Sequence, residues 1–319
     1  MKVSVIIPTY NSEEYIENSL KSVLEQTFSD IEILIIDDCS CDNTVNIIKE
    51  HAKNDERIKL ITLEKNCKQG FCRQKGIEEA KGEYITFLDS DDEYDLTFVE
   101  KMYGKITQDN ADMTVCKFKT SDYQTGEITE NHGYRNYTNV PEKLHNGFCA
   151  DDLEPIAIFN TCNVIWDKIY KKSFLIEKDV RFPGGMYCED DVFTIDAILK
   201  ADKISVLNLP LVCYTINRPN ATSIVYESVK NDCFKMFDLI ENNLIKANLY
   251  EKYQIPFLKY KFFTAKYYYE TISPEFKDEF NQKYHETMNR HKETLMTHFS
   301  KNFDDNVFYG ELKTFYGIN

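Results

Sequence analysis

The chain is short of cations. Its 38 Lys and Arg face 53 Asp and Glu, a formal net charge of −15 over 319 residues. So acidic a surface does not select a phosphate backbone, which argues against nucleic acid as the main partner. Any phosphate-bearing small molecule would need a local cation or a metal. Histidine is scarce, at six residues, and none completes a zinc set beside the two tight cysteine spacings, Cys39-x-Cys41 and Cys67-x4-Cys72. No stretch approaches the roughly 18 consecutive apolar residues of a membrane span. The apolar part of the opening MKVSVIIPTYNS is too short for a signal peptide. The ten cysteines therefore read as reduced thiols and the expected location is cytoplasmic. There is no internal repeat and no low-complexity linker. No Gly-rich, basic phosphate loop follows the first apolar run.

A core is nonetheless affordable, since 42% of residues are hydrophobic, with 21 Tyr and 21 Phe. β-Branched runs at Val3–Ile7, Ile31–Ile36, Ile58–Leu63, Tyr84–Leu88 and Met113–Phe118 read as buried strands. Helical spacing lies between them: Ile16, Leu20, Val23 and Leu24; Asn43 to Lys53; Gln69 to Lys81, closed by Gly82 as a C-cap; and Phe98, Val99, Met102 and Ile106 after Asp95. Asn11 or Ser12 is positioned to cap the first helix. Strands alternating with helices mean an α/β fold with a mostly parallel sheet. Residues 119–162 read as a variable insertion. Ile204–Leu207 and Leu211–Ile216 look like two further strand runs, and from about Tyr226 helical spacing dominates. Two regions are expected, 1–225 and a helical 226–319. The segment YEKYQIPFLKYKFFTAKYYYE, with Pro256 as an interruption, suits packing against the main domain better than a membrane-surface or partner face.

The run YITFLDSDDEYD puts Asp89, Asp91, Asp92 and Glu93 at the mouth of a buried strand. Carboxylates so crowded repel one another unless a cation sits among them. Hard divalent ions take such oxygens together with phosphate and water. Taken alone, a solvated acidic turn explains the run equally well. Position changes that balance. Parallel sheets bind ligands beyond the carboxyl ends of their strands. Pro8 to Asn11, Asp37-Asp38 and Asp89 to Asp92 all fall at such ends. A second acidic triplet, Glu189-Asp190-Asp191, opens a helical run, where acids also simply favour the helix dipole. Trp166 and Tyr170 read as core packing rather than ligand stacking.

Seven segments in order resemble the family 2 glycosyltransferases, with a GT-A type fold: VSVIIPTYNSEEYI at 3–16, SVLEQTF at 22–28, IEILIIDDCSCDNT at 31–44, NCKQGFCRQKGI at 66–77, GEYITFLDSDD at 82–92, VIWDKIY at 164–170 and FPGGMYCEDDVF at 182–193. The resemblance covers about the first 225 residues. It implies a Rossmann-like sheet flanked by helices and a nucleotide-sugar site. Pro8, Thr9, Tyr10 and Glu14 would line base and ribose. Asp38 would hydrogen-bond the base, with Asp37 in support, and Arg73 would approach nucleotide or sugar. Asp89-Ser90-Asp91 matches the DXD motif, with Asp91 as metal ligand for Mn2+ or Mg2+ and Asp89 near ribose or sugar. Asp190 matches the catalytic base, with Glu189 before it and Asp191 as the neighbouring alternative. Arg218 and Ser223 lie where the family has a lid over the diphosphate. The chain departs from the family at Cys72-Arg73-Gln74, often A-R-N, and at Gly184-Gly185, often E-G.

The activity so implied is inverting transfer from a UDP-linked sugar to a hydroxyl of a glycan or lipid-linked glycan, in bacterial capsule, exopolysaccharide or lipooligosaccharide assembly. The rival from another class is a non-catalytic, degenerate sugar-binding module. A phosphatase would carry Asp-x-Asp after its first strand, and a calcium loop would need Gly where Tyr94 stands. Peripheral contact at the inner membrane face and homodimerisation through 226–319 are left open, as are the donor sugar and the acceptor.

Overall fold

A computed structural model describes residues 1–130, 140–160, 163–219, 227–301 and 305–318. The chain divides into two compact units, Met1–Val225 and Tyr226–Asn319.

In the first unit the apolar runs become strands β1 (Val3–Thr9), β2 (Ile31–Asp37), β3 (Ile58–Thr62) and β4 (Tyr84–Phe87). All four are parallel, in the order β3-β2-β1-β4. Every residue of β1 and β2 is buried, as expected of strands covered on both faces. Helices α1 (Ile16–Leu24), α2 (Thr44–Ala52) and α3 (Gln69–Glu79) are the crossovers. The sheet continues through β8 (Lys168–Lys171), β6 (Met113–Asp122), β9 (Ile204–Ile216) and the two-residue β5 (Glu93–Tyr94), while β7 (Ile128–Glu130) pairs with the far end of β6. β8 is antiparallel to both β4 and β6, so the sheet is parallel in its first half and mixed in its second. Helices α4 (Phe98–Asp109), α5 (Pro155–Asn160), α6 (Lys172–Glu177) and α7 (Glu189–Lys200) complete the described part of this unit. One apolar cluster runs through β1, β2, α1 and α4 to Trp166, Leu211 and Val212. Trp166 lies edge-on to Phe118 at 4.7 Å and stacks on Tyr214 at 5.1 Å, so its ring belongs to the core.

Several local expectations change. Residues 204–216 form one strand rather than two. The register against β6 jumps from Cys116↔Leu207 to Lys117↔Pro210, which makes a bulge where proline can sit without a ladder bond. Neither Asn11 nor Ser12 caps α1 with its side chain. The Ser12 carbonyl accepts from Tyr15 and Ile16, and α1 starts later than expected. Gly82 is not a left-handed cap. Its N–H donates to Ser4 Oγ and Glu32, and a Cβ there would meet the Ser4 nitrogen at 2.6 Å. Glycine is required by close approach of the chain to β1. Within 119–162, β6 runs on to Asp122 and turns back as β7.

The second unit is helical among its described residues: α8 (Glu227–Lys246), α9 (Tyr250–Thr271), α10 (Lys277–Asn289), α11 (Lys292–Lys301) and α12 (Asn306–Phe315). Pro256 does not interrupt α9, which continues through it. The lost backbone bond is outweighed by the burial of Tyr253, Phe257, Leu258 and Phe262. Phe262, Tyr284, Phe308 and Phe315 pack ring against ring, so the aromatic segment supplies this unit's core. None of the described helices is long and apolar enough to cross a membrane.

Candidate active site

Register brings the carboxyl ends of the parallel strands level. Thr9 stands opposite Asp37, and the Asp38 N–H donates to the Thr9 carbonyl at 2.9 Å. The loops beyond are tied to one another. Asn11 N–H donates to Ser40 Oγ at 2.9 Å and Cys41 N–H to Asn11 Oδ1 at 2.8 Å. Ser12 and Ser90 share a hydroxyl hydrogen bond at 2.8 Å, which joins the loop after β1 to the loop after β4. Three clusters far apart in sequence thus share one edge.

At that edge one carboxylate oxygen each from Asp89, Asp91 and Asp92 lies within 4.8 Å of the others. Asp92 is fully buried. Its Oδ1 accepts from the Thr215 N–H at 2.8 Å, while its Oδ2 has no partner among the described residues. Burial pushes its carboxyl well up, and the Asp91 and Asp89 charges push it further. Burial also raises Asp91, against the opposing effect of Arg218, whose Nε is ion-paired with Asp91 Oδ2. The Arg218 guanidinium also lies 5.1 Å from the centre of the Tyr15 ring. An orphaned buried oxygen within a carboxylate triad fits a hard cation.

Arg73 connects this cluster to α7. It is 1% exposed. One terminal nitrogen donates to Asp89 Oδ1 at 2.6 Å and the other to Glu189 Oε1. Burial opposes its charge, but Asp89, Glu189 and Asp190 together more than restore it. Glu189 is wholly buried and its carboxyl is pushed up by burial, against the pull of Arg73. Asp190 is raised by burial, with Arg73 opposing and Asp89 adding to the rise. Asp191 is turned to a different partner, accepting from Asn163 Nδ2 at 2.6 Å. The α3–α7 approach depends on Gly70, where a Cβ would meet the Pro183 carbonyl at 2.4 Å and Glu189 Cγ at 2.7 Å.

The residues expected around base and ribose are placed unequally. Tyr10 is 45% exposed, and Glu14 is exposed beside Tyr15. Pro8 and Thr9 are buried in β1. Asp37 accepts from the Ser40 N–H with one oxygen, and its other oxygen has no described partner. Both Asp38 oxygens already accept backbone N–H groups, from Cys67 at 2.6 Å and Lys68 at 2.8 Å, so Asp38 fixes the turn into α3. Ser223 lies outside the described residues.

Sequence reasoning placed Asp92 in the acidic run that asks for a cation without naming it as a ligand, and gave no site role to Ser12, Lys68, Tyr187, Gly70 or Asn163. Asp92 was visible in the run LDSDD. The pair of Lys68 over the Tyr187 ring, 3.5 Å from nitrogen to centroid, depends on tertiary contact and left no local signal. Eight described non-glycine residues have left-handed backbone. Those that are neither Asn nor Asp are Cys39, Lys68 and Cys188, and all three sit on loops of this edge. Strain of this kind collects where surrounding structure holds a functional loop in place.

The matching family model covers residues 4–173 and is described as glycosyl transferase family 2; the chain belongs to that family. Among curated relatives, EpsH of Bacillus subtilis is 32% identical over 218 residues, 67% of this chain and 61% of EpsH. The poly(ribitol-phosphate) beta-N-acetylglucosaminyltransferase TarS of Staphylococcus aureus is 30% identical over 263 residues, 80% of this chain and 42% of TarS. The chain thus spans about three fifths of one relative and about two fifths of the other. A crystal structure of S. aureus TarS 1–349 in complex with UDP-GlcNAc matches with a TM-score of 0.68 at 25% identity, over 99% of this chain and 91% of that one. The GT-A type fold is therefore this chain's fold.

Proposed function

We propose that the chain is an inverting, metal-dependent glycosyltransferase that moves a sugar from a UDP-sugar to a hydroxyl of a glycan or lipid-linked glycan. The observation that carries this reading is the relay from Asp91 and Asp92 through Asp89 and Arg73 to Glu189 and Asp190. It sets an acidic triad and a buried carboxylate at the two ends of one guanidinium. Family membership and the UDP-GlcNAc complex of TarS support the donor class.

In this reading Asp91 and Asp92 hold Mn2+ or Mg2+, which neutralises diphosphate charge when bound. Arg218 supplies a second cation for the leaving diphosphate. Tyr10 offers its ring to the base. Asp37, Asp38, Pro8, Thr9, Glu14 and Ser90 shape the loops around it. Arg73 orients Asp89 against the donor and pairs with Glu189, opposing the rise that burial imposes on that carboxyl. A sugar hydroxyl is a weak nucleophile, so a carboxylate must take its proton as attack proceeds. Asp190 is that base, because Asp191 is engaged by Asn163. Attack from the side opposite the diphosphate inverts the anomeric carbon.

A panel of nucleotide sugars, assayed for released nucleotide with Mn2+, Mg2+ and chelator, tests the reading. Release from a UDP-sugar that stops with chelator is expected. Metal-dependent UDP binding with no release from any donor, whatever acceptor is supplied, would favour the non-catalytic binding module.

A further inference from the structure

Arg218 is the only described cation paired with Asp91, and something must hold it there. It is the second residue beyond the end of β9, and the residue between them, Asn217, has left-handed backbone at φ 58°. That residue is tied to the β6–β7 turn on the neighbouring strand. Asn217 Nδ2 donates to Asp122 Oδ2 at 2.6 Å, and Gln124 Nε2 donates to the Asn217 carbonyl at 3.4 Å. The Tyr123 N–H donates to the Ile216 carbonyl at 3.0 Å. Asp122 is itself fixed, because its Oδ1 accepts the N–H groups of Gln124 and Thr125, each at 2.9 Å. The same turn reaches the other side of Arg218, where the Tyr123 ring meets the Tyr15 ring edge-on at 5.7 Å. Arg218 lies over that Tyr15 ring. The side chain of Arg218 therefore leaves a strand end that is clamped on the Asp122 turn, and it crosses an aromatic ring supported by the same turn.

We infer that Asp122 and Asn217 are positioning residues for Arg218. Through them the β6–β7 turn sets the guanidinium on Asp91, where it occupies the place of a cation until metal and diphosphate arrive. The inference rests on the proposed metal and diphosphate site, and it concerns what this chain's own residues do towards that site. The tether has two consequences of opposite sign. It favours the arginine over a metal ion at Asp91, and it keeps the same arginine within reach of a diphosphate. Loosening it should strengthen metal binding and weaken nucleotide binding together. Damage to the fold would weaken both.

The test uses the full chain and two binding measurements that need no turnover: free Mn2+ followed by electron spin resonance, and UDP affinity by calorimetry. Asn217→Gly keeps access to left-handed backbone and removes only the amide. Asp122→Ala removes the acceptor. Asn217→Gly should bind Mn2+ about threefold more tightly and UDP about threefold more weakly, the effect of one exposed hydrogen bond, and Asp122→Ala, which also frees two N–H groups of the turn, should shift both affinities in the same directions by at least as much. In an Arg218→Ala background neither substitution should shift either affinity further, since coupled residues are not additive. Additive effects in that background, or losses of both affinities in Asn217→Gly, overturn the inference. If no variant binds Mn2+, the metal reading of the acid cluster fails by itself. The tether is then decided by UDP, whose affinity must fall in Asn217→Gly and stay unchanged on adding it to Arg218→Ala.

Discussion

The two edges of the parallel sheet treat buried carboxylates in opposite ways. At the amino edge Glu32 is fully buried in β2, opposite Ser4. Every side of its carboxylate is met: by Ser4 Oγ at 2.7 Å, Lys59 Nζ at 2.6 Å, and the N–H groups of Lys81 at 2.5 Å and Gly82 at 3.1 Å. Burial alone would raise its pKa, yet these partners prevail and hold it below the usual glutamate range. At the carboxyl edge Asp91, Asp92, Glu189 and Asp190 are all pushed up by burial. Asp37, Asp92 and Glu189 each keep an oxygen without a described partner, and so does Thr9. One edge has closed its polar accounts within the chain. The other keeps buried oxygens without a partner among the described residues, which fits a site that a ligand completes.

The sharpest way to break this contrast is to remove one acid from each edge and ask what is lost. Asp190→Asn should lower kcat about a thousandfold, the scale of a lost general base, while UDP affinity and the unfolding midpoint stay near those of the parent. Retained turnover in Asp190→Asn, with loss in Asp191→Asn instead, would move the base by one residue. Glu32→Ala should do the reverse. It strands Lys59 and the backbone N–H groups, so stability should fall by about 3 kcal/mol in denaturant titration, with kcat unchanged in the folded fraction. A Glu32 variant that keeps stability and loses turnover would erase the distinction between the edges.

How much of this was legible in the chain follows from the range of the forces involved. Strands β1 to β4 and helices α1 to α4 were readable because burial on both faces writes continuous apolar runs, and one-sided burial writes helical spacing. The sharing of an edge by Thr9, Asp38 and Asp91 followed from the rule that parallel strands end on the same side. The relay through Arg73 did not follow. That Arg73 meets Glu189, 116 positions away, is set by how α3 meets α7, and only Gly70 hints at it. The bulge at Pro210 was read as a break, because proline removes a ladder bond wherever it sits and sequence does not say whether the strand resumes. Asn163 on Asp191 was equally hidden, since nothing local marks an amide that restrains one acid and leaves its neighbour.

Smaller changes sharpen the contrast. Asp92→Asn keeps an oxygen for the Thr215 N–H and removes one charge from the triad. It should raise stability by about 1 kcal/mol, because a repelling buried charge disappears, and it should weaken Mn2+ binding at the same time. A thermal melt and a metal titration on one sample read both. Loss of stability would mean that Asp92 is a structural acid like Glu32.

The smallest effect is the pH dependence of the gap between the parent and Glu32→Gln. The folded pKa of Glu32 is depressed, so its ionised form favours the folded state. That contribution is complete above the unfolded value of about 4.3 and is lost as pH falls through the lower folded value. The stability gap should therefore be flat from neutral pH down to about 4.3 and narrow below it. The carboxyl-edge acids have raised folded values, so protonation relieves their cost first, at higher pH, in the parent and in the variant alike. They cancel in the difference. A gap that instead widens as pH falls from 7 to 5 would mean that Glu32 is held up rather than down, and the two edges would then differ in place but not in kind.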